Sequence, residues 1–226
     1  MTTTSALGPP TIHFTAEIDP TARIGAGTNI WHQVQVMAGV SVGRECVLGK
    51  GVYIASGSSL GERVKVQNGC GIFGARLEDG VMLAPGVYLL EDPAPRAVTV
   101  DGRAKGDDDW LRVPVTIRAG ATVGAGAIVA PGVTIGRYAM VAIGAIVHRD
   151  TPAHALVAGN PARQVGWVCR CGERLDDGLV CPSCASRYCQ GRDGLSHAAP
   201  PGDNVDRPGG VSHPEINHTH DTGKDQ

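Results

Sequence analysis

Aromatic rings are scarce in this chain: three Trp, four Tyr and two Phe among 226 residues. That excludes a core built on large rings and suits a narrow interior. Long apolar runs are missing too. None approaches the roughly 20 residues needed to cross a bilayer, so no membrane partner is expected. Neither sign of charge dominates, since the net charge is −2, and this argues against a nucleic-acid partner held by charge. The opening Met1–Ala6 has no basic stretch and no apolar core, so no secretory signal is expected and the reading is cytoplasmic. Helical periodicity of 3.6 is absent as well. What is abundant is glycine, at 32 residues, the residue that tolerates unusual backbone angles at tight corners.

The order in the sequence has a period of six. Ile12, Ile18, Ile24, Ile30, Val36, Val42, Leu48, Ile54, Leu60, Val66 and Ile72 follow one another without a slip. A strict short repeat marks a solenoid, in which each unit buries its apolar residue only by stacking on its neighbours. Six is the hexapeptide period of a parallel β-helix. The register then shortens by one: Ile72 is followed by Leu77, Leu83 and Leu89, which predicts a tightened corner near Gly74 and Ala75. Periodicity vanishes over 91–110, a length of loop that is usually functional or unstructured. Within it, Asp107, Asp108 and Asp109 read as a solvated face. The period resumes at Leu111, then Ile117, Val123, Val129, Ile135, Val141 and Val147, which makes 21 hexads in all. Three to a turn, stacked at about 4.8 Å, they predict about seven turns and a prism roughly 30–35 Å long.

The fold class expected is therefore all-β, a parallel β-helix of hexapeptide repeats. The domain plan is a flexible lead-in over 1–11, the coil over 12–167 with the 91–110 insertion, a Cys-rich element over 168–190 and a disordered tail over 191–226. Pro152 and Pro161 predict an extended exit from the coil rather than a long helix.

Of seven Cys, five crowd between Cys169 and Cys189. An odd, clustered set suits a reduced compartment and a metal better than a disulfide framework. Cys169 and Cys171, then Cys181 and Cys184, form two close pairs that resemble a small zinc ribbon. Four thiolates around Zn²⁺ leave no open position, so the ion would be structural. The first pair is Cys-x-Cys, which leaves Cys189 as a possible substitute for Cys169. Disulfide or free thiols remain the alternative. His218 and His220 in the tail could bind metal loosely, but the reading preferred for them is that they are solvated.

The coil hexads, such as Val123-Gly-Ala-Gly-Ala-Ile, resemble the left-handed parallel β-helix acyltransferases. The left hand follows from that resemblance, because crossovers between parallel strands are ordinarily right-handed. More specific segments are Ile30-Trp-His, Lys65-Val-Gln-Asn, Ala84-Pro-Gly, Pro95-Arg and Gly159-Asn-Pro-Ala-Arg-Gln-Val-Gly-Trp. They are similar, in order, to the nucleotide-sugar 3-N-acetyltransferases of the UDP-2-acetamido-3-amino-2,3-dideoxyglucuronate type. The resemblance implies a homotrimer, acetyl-CoA in the groove between adjacent prisms, and the 3-amino group of a nucleotide sugar as acceptor.

Carried onto this chain, the resemblance puts Asn68, Glu91 and His32 at the chemistry. Trp31, Lys65, Gly86, Pro95 and Arg96 would meet the nucleotide sugar. Gly124, Ala125, Gly126 and Ala127, with Ala142, Ile143, Gly144 and Ala145, would form small corners for pantetheine. Asn160, Pro161, Ala162 and Arg163 would receive the adenine end. Each has an ordinary alternative. Asn68 could be a corner Asn in a left-handed conformation, Glu91 a solvated loop residue, His32 an exposed corner, and the small corners plain repeat turns.

The chain also departs from the family pattern. Gly69 stands where Asn or His is usual, Lys50-Gly51 replaces Gln-Asn, Glu91 replaces Asn, and Gln35 replaces a second His. These departures leave two further readings: an acyltransferase with a different donor or acceptor, and a non-catalytic trimeric scaffold that docks partners through the ribbon. The γ-type carbonic anhydrases share this coil and need three metal-binding His. His13, His32 and His148 are far apart in sequence and form no clustered pair, which argues against them.

Overall fold

The computed structural model describes residues 7–198. Twenty two-residue strands, from Thr11–Ile12 to Ile146–Val147, wind into a triangular coil whose faces are three parallel sheets. Partners on a face lie 18 residues apart: Thr11 pairs with Asn29, Asn29 with Val47, and Val47 with Lys65. Three hexads thus close one turn. The second strand residue of each hexad points inward, and from Ile30 onward these residues are at most 5% exposed. Four positions later in each hexad a smaller side chain such as Val34, Val52 or Ala127 also turns inward and fills the corner.

Among the described residues the coil is open at its N-terminal end, where Ile12 is 43% exposed. The lead-in is shorter than expected. Thr11 and Ile12 are already a paired strand, and the Gly27 N–H donates to the Gly8 carbonyl at 2.8 Å. Residues 1–6 lie outside the described residues.

One edge needs glycine for packing. A Cβ on Gly25 would overlap the Gly43 backbone, and a Cβ on Gly43 would overlap the Gly61 carbonyl one turn on. The slip between Ile72 and Leu77 is absorbed at Gly74, which has φ +60, and Ala75 still turns fully into the core.

The insertion leaves after Tyr88–Leu89, at the edge between the second and third faces, and returns at Thr116–Ile117. Its base is tied by the Val113 N–H donating to the Glu91 carbonyl at 2.8 Å. Asp107–Asp109 form one 3₁₀ turn, and Asp109 accepts two bonds from Arg103 at 2.8 Å. Leu111 is 65% exposed and is not a rung of the coil. The repeat resumes one hexad later than the spacing predicts because the returning chain is still anchored to the loop base at Val113.

The exit is extended, as an antiparallel pair of Ala155–Ala158 with Arg163–Trp167 on the first face. The Cys-rich element follows. The disordered tail expected from 191 is corrected over 191–198, because Tyr188–Gly191 and Gly194–His197 form a hairpin. Little in 191–198 is apolar, but Leu195 is buried against the ribbon, and that one contact outweighs the composition. Residues 199–226, with His218 and His220, lie outside the described residues.

Two outcomes test this packing. Gly43→Ala should lower the denaturation midpoint well beyond Gly8→Ala, which adds a methyl in open space. His154 is buried, and burial holds its pKa below the usual 6.5, with His197, Arg137 and Arg170 adding to the lowering. The unfolded chain therefore binds a proton that the folded chain refuses, so stability is full above 6.5 and declines as pH falls toward the folded pKa. Thermal melts at about pH 7.5 and about pH 5 should separate more for the native chain than for His154→Asn.

Candidate active-site edge

The turn length gathers the site. Each corner between the first and second faces hydrogen-bonds to the one below: Gly51 N–H to the His32 carbonyl, Gly69 to Lys50, Gly86 to Asn68, Gly126 to Pro85, and Gly144 to Ala125, all at 2.8–3.0 Å. His32, Asn68, Gly86 and the small corners 124–127 and 142–145 therefore occupy one edge of the prism. The turn holding Asn160 and Pro161 continues it, because Ile146 N–H donates to the Gly159 carbonyl and Ala162 N–H to the Ile146 carbonyl. From His32 to Asn160 is six rungs, about 29 Å at the usual strand spacing.

The lower part of this edge is a groove of about 410 Å³ lined by Trp31, His32, Lys50, Lys65, Gln67 and Asn68. Trp31 is 51% exposed. Asn68 does not take the left-handed angle; Gly69 does, at φ +68. The Asn68 Oδ1 instead accepts the Lys50 N–H at 2.9 Å, the same staple that Asp79 makes to Glu62 at another edge. With its oxygen fixed, Asn68 has its amide N–H₂ left to offer. Space beside Gly69 is open, with nothing within 4 Å of a Cβ placed there.

Sequence spacing hid one member of the site. His13 and His32 are 19 positions apart, one turn plus one residue, and their rings stack with centroids 3.6 Å apart. The expectation of no clustered His pair is thus corrected, and the period of 18 was the signal that could have found it. Partial desolvation, then the nearby His32, pulls the His13 pKa below its usual value. His148 follows Ile146–Val147 at a different edge, so three His do not meet.

Higher on the edge the chain offers backbone donors. The position stapled at Lys50 is Ala125 and Ile143 two and three rungs above Asn68, and among the described residues their N–H groups meet no acceptor. Ile143 is 78% exposed, whereas Ala127 and Ala145 are fully buried and face the core. Those two alanines thus shape the corner from inside and present no side chain to a ligand. Arg163 Nη1 donates to the Ala162 carbonyl at 2.9 Å.

Glu91, Pro95 and Arg96 are elsewhere, at the edge between the second and third faces and in its loop. Glu91 and Pro95 line a mainly apolar pocket of about 460 Å³ with Phe73, Leu90, Trp110 and Leu111. Glu91 is half-buried, and among the described residues its Oε2 has no hydrogen-bond partner. That oxygen sits where a Cβ on Gly74 would be, so the shortened corner makes the slot for it. Arg96 is exposed and, among the described residues, bonds only the Pro95 carbonyl, at 3.0 Å. One chain does not bring Glu91 to Asn68.

Cys169, Cys171, Cys181 and Cys184 come together at the end of the coil, with all four sulfurs within 4.8 Å of one another. A tetrahedron with Zn–S of about 2.3 Å has S···S edges of about 3.8 Å. The observed separations of 3.5 Å (169 to 184), 3.6 Å (171 to 181) and 3.8 Å (171 to 184) fit that set. Cys189 stands outside it, against Ser196. Each Cys pair sits in its own turn, closed by Gly172 N–H to the Cys169 carbonyl and Ala185 N–H to the Cys181 carbonyl. Buried Cys46 and Cys70 have pKa values raised by desolvation and are inert core residues.

Among the described residues, no helix is long and apolar enough to cross a membrane. Residues 21–56 match the bacterial transferase hexapeptide repeat, and residues 114–149 match the hexapeptide repeat of succinyl-transferase. Over 75 residues, 32% of this chain, it is 45% identical to dTDP-3-amino-3,6-dideoxy-alpha-D-galactopyranose 3-N-acetyltransferase of Aneurinibacillus thermoaerophilus and covers 38% of that protein. It is 31% identical to serine acetyltransferase 4 of Arabidopsis thaliana, over 69% of this chain and 30% of that protein. The chain thus spans well under half the length of these two relatives. Among solved structures, a maltose O-acetyltransferase from Clostridium difficile aligns with a TM-score of 0.49 and 25% identity, over 57% of this chain and 69% of that one. PerB from Caulobacter crescentus, solved with CoA and GDP-perosamine, aligns with a TM-score of 0.39 and 24% identity, over 71% and 58%. Both matched blocks thus carry transferase hexapeptide repeats, and both lie on the same parallel stack of rungs.

Proposed function

We propose that this chain is an N-acetyltransferase that moves the acetyl group of acetyl-CoA to the 3-amino group of a nucleotide-activated amino sugar. The observation that carries the reading is the single edge that holds His32, Asn68, Gly86, the free N–H groups of Ala125 and Ile143, and the Asn160 turn in a line of about 29 Å. An extended acetyl-CoA would lie along it. Its adenine end would meet Asn160, Pro161, Ala162 and Arg163, its pantetheine would take the amides of Ala125 and Ile143, and its thioester would lie near Asn68. The part-length match to a dTDP-3-amino-sugar 3-N-acetyltransferase supports the acceptor.

The chemistry asks for alignment more than for strong groups. The neutral amine attacks the thioester carbon, and negative charge gathers on the carbonyl oxygen. The Asn68 amide would donate to that oxygen. The C–S bond then breaks, CoA leaves as the thiolate, and the amine proton passes to His32 or to the departing sulfur. Trp31 and Lys65 in the groove would hold the sugar and its phosphates.

Glu91, Pro95 and Arg96 enter this site only from a second copy. The separation of the two edges within one chain, together with exposed Trp31, Tyr88 and Ile143, supports a homotrimer in which the 91–110 loop of one subunit faces the Asn68 edge of the next. There, the half-buried Glu91 carboxylate would be an alternative proton acceptor. The four clustered thiolates would hold a structural Zn²⁺ away from this path, and free Cys throughout fits a reducing compartment such as the cytoplasm. A second reading, transfer to a different acceptor, is favoured by the open space at Gly69.

Titration of the purified protein with acetyl-CoA, with and without a dTDP- or UDP-3-amino sugar, should show saturable binding and turnover with one sugar. A folded oligomer that binds no CoA would sink the proposal. Pro85 already occupies the corner position of Ala125, so Ala125→Pro should leave the fold intact and weaken acetyl-CoA binding by about three- to tenfold, as for one lost hydrogen bond. Asn68→Ala should lower kcat by about a hundredfold or more if its amide serves the oxyanion; a change in KM alone would reassign it to binding.

A further inference from the structure

We infer that the four-thiolate site locks the C-terminal hairpin onto the end of the coil, with the Tyr188 hydroxyl as the link between metal and coil. The inference rests on the Zn²⁺ reading above and gives that ion a task.

The hydrophobic cluster of the Cys-rich element holds five buried residues, and two of them, Cys169 and Cys181, are ligands. Without a metal, Leu175, Tyr188 and Leu195 remain, far too little for an independent core. Yet this element is fixed to the last turn of the coil. Ala153 N–H donates to the Asp193 carbonyl at 2.9 Å, and Leu195 N–H to the Ala153 carbonyl at 3.1 Å. The approach is close enough that a Cβ on Gly194, at φ +119, would overlap the Ala153 backbone. The hairpin thereby continues the third face after Thr151 has bridged to Ile135.

Tyr188 joins the two parts. Its hydroxyl accepts the Arg170 N–H at 2.9 Å and lies 3.2 Å from Cys169 Sγ, so its own proton is directed at the sulfur. A donor to a coordinating thiolate orients the ligand and tunes the metal. The Tyr188 ring lies 4.8 Å from His154, and His154 lies 5.2 Å from Tyr138 in the coil. The chain of contact thus runs from metal to Cys169, to Tyr188, to His154, to the coil edge.

The test uses the full chain. Metal content is measured by mass spectrometry, and hydrogen exchange is followed before and after chelation. One zinc per chain is expected. Where zinc had been a hundredfold above its Kd, chelation should speed exchange at Ala153 and Leu195 about a hundredfold, while Ile54 and Leu83 in the coil stay protected. Absence of zinc would overturn the metal reading itself. Zinc with unchanged exchange at the junction would overturn the lock and leave the ion as a local staple. Tyr188→Phe keeps the ring and all four ligands. It should retain zinc with about tenfold weaker affinity and faster exchange at Ala153 and Leu195. Unchanged exchange in that variant would remove the hydroxyl as the link.

Discussion

Everything in this molecule depends on stacking inward aliphatic residues at one interval. A hexad has no core of its own. Its Ile, Leu or Val is buried only because identical units lie above and below. Eighteen residues per turn make position i sit under position i+18, on all three faces. The same interval that builds the core therefore arranges the surface. A residue type placed every eighteen positions becomes a vertical line on one edge, and the candidate site is such a line. Histidines, an asparagine and two small corners with free amides fall into register without any loop to carry them.

The interruptions show the same constraint from the other side. The coil tolerates one deletion, at Gly74, because a residue without a side chain lets the corner tighten, and the vacated volume takes the Glu91 carboxylate. It tolerates a long insertion after Leu89 because the loop leaves and returns at an edge, where rungs are already turning. The insertion costs the third face nothing in pairing, as Arg76 still meets Thr116 across it. A solenoid accepts change at its corners and refuses it on its faces.

The coil was legible in the sequence because its period is strict, and the order of the fold could be counted residue by residue. Leu111 deceived because an aliphatic residue at the right interval still needs a rung to stand on. The Cys cluster was legible because ligand spacing is local. His13 beside His32 was missed although the period contained it, since 13 and 32 differ by a turn plus one and a search for neighbouring His looks along the chain. The alternative of Asn68 as a left-handed corner residue did not hold: its oxygen staples Lys50, and Gly69 takes the left-handed angle instead. The docking of the 188–197 hairpin was not legible, because it rests on a single buried Leu195 and on backbone bonds to Ala153, neither of which leaves a pattern.

A solenoid also has ends, and this one treats them differently. At the first turn Ile12 is 43% exposed, while Ile18 and Ile24 are only half-buried. At the last turn Ala155, Val157 and Trp167 cover the core, and Trp167 packs on both the coil and the Cys-rich element. The upper rungs carry the free amides of Ala125 and Ile143, and the Asn160 turn lies on the very strands that cover the end. A ligand laid along that edge would press on the final turn, where there is no further rung to support it. Anchoring the terminal turn from beyond, through Ala153 and His154, supplies the neighbour that the repeat itself can no longer provide.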